Sequence, residues 1–234
     1  MKKLILTLAV MLVVLVAEAQ QKPNLIFIMV DDAGYGDFSC FGQEKFMTPN
    51  IDRMAAKGMK FTQHYSGSTV CAPTRCCLMN GVHTGHSYVR GNREVQPEGQ
   101  SPIPADLVTI PKLLQKAGYT TGMFGKWHLG FQEKFLPLNH GFDTFLGLPY
   151  SNDMWPVDFD GNQISDTSNW RKKAYPQLPL IEDFKKIDEI RTLEDQAKLT
   201  TLYTEKSVEF INNNKDNPFF LYVPHSMPHV PIAV

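Results

Sequence analysis

The sequence predicts an α/β protein with a mostly parallel central sheet flanked by helices. Short apolar runs alternate with amphipathic helical patterns, and Gly or Pro punctuates many of the joins. Three of the apolar runs end abruptly in polar residues, at Asp31/Asp32, Lys126/His128 and His225/His229. Ligands of open α/β sheets bind beyond the carboxyl ends of strands, so these three ends also predict where a site lies. The composition agrees. At 234 residues, 43% hydrophobic and 20% charged, the chain can bury a core, and collagen-like repeats, coiled coil and wholesale disorder are excluded. With 23 basic against 24 acidic residues, nothing marks nucleic acid as a partner.

Residues 1–19 read as a secretory signal peptide. Lys2 and Lys3 form its positive start, Leu4 to Val16 its apolar stretch, and Ala17-Glu18-Ala19 a small-x-small cleavage site. The stretch is short for a span of about 20 residues and no stop-transfer segment follows, so a stable membrane anchor is not expected. Export to the periplasm or the medium would permit disulfides. Yet three of the four cysteines (Cys40, Cys71, Cys76 and Cys77) crowd together, which makes a poor disulfide framework. Zinc fits little better, since no second Cys or His pair stands at finger-like spacing.

Leu25 to Val30 is an unbroken apolar run, as expected of a strand buried on both faces. Thr48-Pro49 can open a helix carrying Ile51, Met54 and Ala55, with Gly58 as its stop. Pro73 suits a first helical turn, which places Cys71 at or just before a helix start and Arg75 within that turn. Thr109 to Ala117 is a further helix, with Leu113 and Leu114 apolar and Gly118 closing it. Tyr119 to Phe124 is a strand leading into Gly125-Lys126-Trp127-His128. Residues 151–190 look rich in loops, with Trp155, Trp170, Arg171, Lys172 and Lys173 read as a pocket wall. Leu193 to Ile211 is a long amphipathic helix with Leu193, Ala197, Val208 and Ile211 inward. Pro218 then introduces the strand Phe219 to Val223, which runs into Pro224-His225-Ser226-Met227-Pro228-His229.

Two segments carry chemistry. Adjacent carboxylates at Asp31 and Asp32 repel unless a cation or donor compensates them, and a hard ion such as calcium or magnesium suits them better than zinc. An exposed turn is the plain alternative; Gly34-Tyr35-Gly36-Asp37 adds only backbone freedom. In Cys71-Ala72-Pro73-Thr74-Arg75, a nucleophilic side chain stands at a helix start whose dipole and free N–H groups favour an anion, with a guanidinium nearby. The plain alternative, a core cysteine, suits Cys76 and Cys77.

Cys71-x-Pro73-x-Arg75, followed by Leu78-x-x-Gly81, resembles the signature of the sulfatase family. The aspartate pair, Gly125-Lys126-Trp127-His128-Leu129-Gly130 and the His229-x-Pro231 segment match in order. Leu148-Pro149-Tyr150-Ser151-Asn152-Asp153 is similar to the arylsulfatase A type. The likeness covers about residues 22–233. It implies an alkaline-phosphatase-like sulfatase fold and conversion of Cys71 to formylglycine by a sulfatase-maturating enzyme. It also implies a calcium ion held by Asp31, Asp32 and the modified Cys71, with magnesium a weaker fit. The hydrated aldehyde would attack the sulfur of a sulfated small molecule or glycan. Its second hydroxyl would then let sulfate leave, a route a serine lacks. Arg75 would hold the formylglycine, and His128 would assist its deprotonation. Lys126, Ser151 and His229 would bind the sulfate group, with His229 also protonating the leaving oxygen. His225 is read as structural, and His64, His83, His86 and His140 carry no role.

The family's remaining metal ligands, an Asp-Asn pair, and a further lysine have no counterpart here, so residues 20–234 are expected to be the N-terminal part of the catalytic domain, incomplete. Such a chain should turn over aryl sulfates poorly and leave apolar faces without partners. Two alternatives stand beside a sulfate ester hydrolase: a phosphate or phosphonate ester hydrolase of the same superfamily, and a non-catalytic module that binds sulfated glycans.

Overall fold

A computed structural model describes residues 22–95, 100–164 and 175–234. The proposed signal peptide and the stretch from Trp170 to Lys173 lie outside these residues. One six-stranded sheet organises the chain, in the order β1-β6-β2-β3-β4-β5. The strands are β1 (Leu25–Val30), β2 (Thr120–Lys126), β3 (Thr144–Leu148), β4 (Leu178–Glu182), β5 (Lys185–Ile190) and β6 (Phe219–His225). The pairs β1–β6, β6–β2 and β2–β3 are parallel, whereas β3–β4 and β4–β5 are antiparallel. The helices are α1 (Pro49–Lys57), α2 (Cys71–Asn80), α3 (Ile110–Lys116), α4 (Leu193–Ala197) and α5 (Leu199–Asn214). Among the described residues, no helix is long and apolar enough to cross a membrane.

Strand alternation builds the core on both faces of the sheet. Phe219, Leu221 and Val223 of β6 join one apolar cluster with Phe124, Tyr203 and Phe210, under α5. Phe220 and Tyr222 join a second cluster with Ala72 and Cys76 of α2, and with Trp127, Phe142 and Phe145. Each such side chain contributes roughly 1.5–3 kcal/mol of transfer free energy, so β6 and β2 are the best-anchored strands. Their close approach requires glycine. A Cβ on Gly147 would strike the carbonyl oxygen of Gly125, and Gly125 itself has φ +142° against the Pro224 carbonyl.

Several expectations change. β1 forms where predicted but is an edge strand, with Ile26 50% and Ile28 53% exposed; among the described residues only β6 pairs with it. An apolar run fits a fully covered strand but does not itself supply the cover. Likewise α1 begins at Pro49 and stops at Gly58, yet none of its residues is buried, and Met54 is exposed. Thr48 holds the N-cap position, but its hydroxyl bonds to Ser39 and Asp52 rather than to the helix backbone.

The predicted helix Leu193 to Ile211 is two helices meeting at Lys198. Its inward row on α5 is Leu199, Tyr203, Ser207 and Phe210, and Val208 is exposed. Leu193 and Ile211 pack against the core as expected. Within residues 151–190, the antiparallel hairpin β4–β5 replaces the predicted loop. Asp183 takes φ 54° at its turn, and its side chain accepts from the Phe145 amide at 3.0 Å. Trp155 is fully buried in the core and lines no pocket wall.

Candidate active site

Parallel pairing sends β1, β6, β2 and β3 the same way, so their carboxyl ends share one edge of the sheet. Asp31 follows β1, Lys126 ends β2, Ser151 stands three residues after β3, and His229 stands four after β6. The strand β2 runs two residues further than predicted and takes Lys126 into the sheet. α2 starts at Cys71, as predicted, with Val70 as its extended N-cap. Arg75 therefore lies at the start of the second turn rather than in the first.

Lys126 is fully buried; its ammonium pairs with Asp31 Oδ2 and donates to Ser151 Oγ at 3.0 Å. Arg75, 1% exposed, brings Nη2 to 3.3 Å from the same Asp31 oxygen, and its Nη1 donates to the Lys126 carbonyl. Burial acts to raise the Asp31 pKa, but Arg75 and Lys126 overcome it and hold the carboxyl below the usual range. One buried carboxylate thus faces two buried cations. The surplus is positive and suits an anion.

His128 is 2% exposed, with φ 60° and its amide bonded to the Pro149 carbonyl at 3.0 Å. Burial, then Lys126, Arg75 and His229, hold its pKa well below the ordinary value, so the ring is neutral at neutral pH. Neither ring nitrogen has a hydrogen-bond partner among the described residues, and Arg75 Nε has none either. Buried polar groups are normally satisfied by protein or water, so these nitrogens are open to a ligand. His229 Nδ1 lies 2.6 Å from the Val230 carbonyl, and its Nε2 lies 3.7 Å from Asp32 Oδ2.

A cavity of about 190 Å³ is lined by Asp31, Asp32, Ser68, Cys71, Thr74 and Arg75 among others. Cys71 is half-buried there, and all four cysteines are free thiols, with Cys76 and Cys77 buried as expected. Asp32 is largely exposed, with φ 63° turning the chain after β1. Two carboxylates on one wall fit a hard cation in kind, but they supply only part of the roughly six to eight oxygens calcium takes. No group of three or more His, Cys, Asp or Glu among the described residues could hold a metal.

The structure thus gathers Asp31, Asp32, Cys71, Arg75, Lys126, His128, Ser151 and His229 at one edge. His225 stands apart, with its ring 6.3 Å from that of Tyr203. Two neighbours were missed. Tyr222 lies against Arg75, with its phenol within hydrogen-bonding reach of the guanidinium. Asn92 touches Cys71, as its Nδ2 donates to Sγ at 3.3 Å. Tyr222 was hidden within an apolar run, and Asn92 in a loop without any periodic signal.

Comparison with known proteins identifies the family. A family model described as Sulfatase matches residues 23–234. N-acetylgalactosamine-6-sulfatase of Mus musculus is 36% identical over 233 residues, covering 93% of this chain and 42% of that protein. The crystal structure of the PsFucS1 sulfatase from Pseudoalteromonas sp. superposes with TM-score 0.74 at 31% identity, covering 92% of this chain and 46% of that one. A second structure, solved in complex with its substrate D-glucosamine-2-N,6-O-disulfate, gives TM-score 0.64 at 28% identity, over 89% of this chain and 35% of that one. The chain therefore spans less than half the length of the curated relatives it matches.

Proposed function

Because the chain belongs to the sulfatase family, we propose that it carries the nucleophile-bearing part of a site that hydrolyses sulfate esters, the substrate being a sulfated small molecule or glycan. One observation carries this reading. Cys71, at a helix start, shares a cavity with Arg75 and Asp31, and the buried Arg75 Nε lacks a partner among the described residues, as do both ring nitrogens of nearby His128. A sulfate group is a tetrahedral anion that would take such donors. The relative bound to a glucosamine disulfate supports a sulfated sugar as the class of substrate.

The residues divide the work by position. Lys126 and Ser151, already joined by a hydrogen bond, would receive sulfate oxygens, and Lys126 would bring positive charge to where negative charge develops. Arg75 spans Asp31 and the Lys126 carbonyl, which fixes the floor on which residue 71 stands. His128, neutral and buried, would accept the proton of the attacking hydroxyl. In neutral His229 the Val230 carbonyl takes the Nδ1 proton, so its Nε2 is free to accept; when protonated it would donate to the leaving oxygen. Asp31 and Asp32 would be two of the calcium ligands. Formylglycine at residue 71 would supply the attacking hydroxyl, and calcium would supply the charge that favours its ionised form. Export by residues 1–19 and action of a sulfatase-maturating enzyme on Cys71 belong to the same proposal.

The test is to co-express the chain with a sulfatase-maturating enzyme, weigh the peptide containing residue 71, and offer matched aryl sulfate and phosphate esters. Loss of sulfur and two hydrogens with gain of one oxygen at residue 71 (thiol to aldehyde, oxidised by the maturating enzyme), with sulfate bound or slowly cleaved in preference to phosphate, is expected. Faster phosphate cleavage would transfer the reading to phosphoester hydrolysis. An unmodified Cys71 in a chain that still binds sulfated glycan would make it a binding module.

A further inference from the structure

We propose that Asn92 is the positioning residue for Cys71, capping its helix from a distant loop while holding the side chain at the cavity wall. Helix starts leave backbone donors unpaired, and a side chain at the N-cap usually accepts from one of them. α2 has Val70 there, which offers no acceptor. Pro73 contributes no N–H, and Thr74 N already donates to the Val70 carbonyl at 3.2 Å. The Cys71 and Ala72 amides remain. Ala72 N donates to Asn92 Oδ1 at 3.2 Å, so the loop supplies the cap that the sequence before the helix lacks.

That bond also settles which way the Asn92 amide faces. The orientation of an asparagine amide is ordinarily an assignment, but an N–H can donate only to its oxygen. With Oδ1 on Ala72 N, the NH₂ must face the other way, and Nδ2 reaches Cys71 Sγ at 3.3 Å. One short side chain thus grips both the second residue of the helix and the side-chain atom of the first. Whatever atom stands on residue 71, sulfur or oxygen, receives a hydrogen bond from this amide. The catalytic meaning of the contact rests on the reading of Cys71 as the precursor of the nucleophile; the contact itself does not.

Two variants of the full chain, made without maturation so that the thiol persists, separate capping from positioning. Asn92→Ala removes both bonds and should lower Tm by about 2–4 °C. Asn92→Asp keeps the acceptor for Ala72 N but sets a carboxylate oxygen against the sulfur. It should keep the wild-type Tm yet slow iodoacetamide alkylation of Cys71, read peptide by peptide at fixed pH, by on the order of tenfold. Alkylation of Cys40 in the same sample should not change. Cys71→Ala, with Asn92 intact, should shift the Asn92 side-chain amide signals in a ¹H–¹⁵N spectrum. Wild-type alkylation of Cys71 in Asn92→Asp, or unmoved amide signals in Cys71→Ala, would reduce Asn92 to a helix cap or a bystander. None of these readouts needs sulfate hydrolysis. A chain that fails the functional test leaves this proposal standing, and the reverse also holds.

Discussion

Asp31 is one carboxylate answering two buried cations, and that imbalance decides what a substitution there does. Asp31→Asn leaves Lys126 and Arg75 buried without counter-charge, and should cost about 3–5 kcal/mol, read from the urea midpoint. Adding Lys126→Met removes one of the stranded charges, so the double variant should cost less than the two single losses together. A strictly additive result would show that the pair does not act as a unit. His140 offers a second test. Its ring is buried and its pKa is lowered to about 4, by burial first and then by Lys112. The folded state therefore binds the His140 proton less readily than the unfolded chain, whose histidines titrate near 6.5. Stability from this group is fully present above about pH 6.5 and is lost as the pH falls toward 4, amounting to about 3 kcal/mol at most. His140→Phe should flatten that stretch of a Tm–pH curve, and an unchanged slope would place the acid sensitivity elsewhere.

Among the elements, strands β2 and β3 show how tightly the backbone is fixed. Gly147→Ala would drive a methyl into the backbone of Gly125 and should cost about 3 kcal/mol or more. Gly122→Ala would meet the Phe210 ring rather than backbone and should cost less, about 1–2 kcal/mol, with both variants read from Tm. Equal losses would mean that the sheet yields as easily as a side chain. This scale also shows what a reader of the sequence can and cannot see. The strands predicted at Leu25 to Val30, Tyr119 to Phe124 and Phe219 to Val223 announce themselves because short apolar runs lead into polar residues, and those stops place Asp31, Lys126 and His229. The starts and stops of α1 and α3 are equally plain at Pro49, Gly58, Thr109 and Gly118. The hairpin β4–β5 is not, because Pro179, Lys185, Lys186 and Asp188 read as loop, and only pairing on β3 makes them strand. The exposure of β1 is hidden in the sequence for a similar reason, since cover comes from other elements. Asn92 could not be found at all, since its role is a contact with Cys71, twenty-one residues earlier.

Over the whole molecule, the exposed apolar surface of β1 and α1 predicts behaviour in solution. Ile26, Ile28, Ile51 and Met54 all stand open, and an open apolar strand edge invites pairing. The 234-residue chain should self-associate as its concentration rises, and Ile26→Lys with Ile28→Lys should reduce this in sedimentation runs. A wild-type chain that stays monodisperse and melts cooperatively would count against that expectation. The strand order has a further consequence, which concerns time. β6 separates β1 from β2 in the sheet, although it follows all the other described strands in the sequence. Asp31 and Lys126 cannot settle against each other in a nascent chain until residues 219–225 have emerged and slid between their strands. The pocket is therefore a late product of folding, bound to long-range contacts that form slowly. Until residues 219–225 emerge, Cys71 exists on a chain without its pocket, open to any enzyme that must reach it before the fold closes.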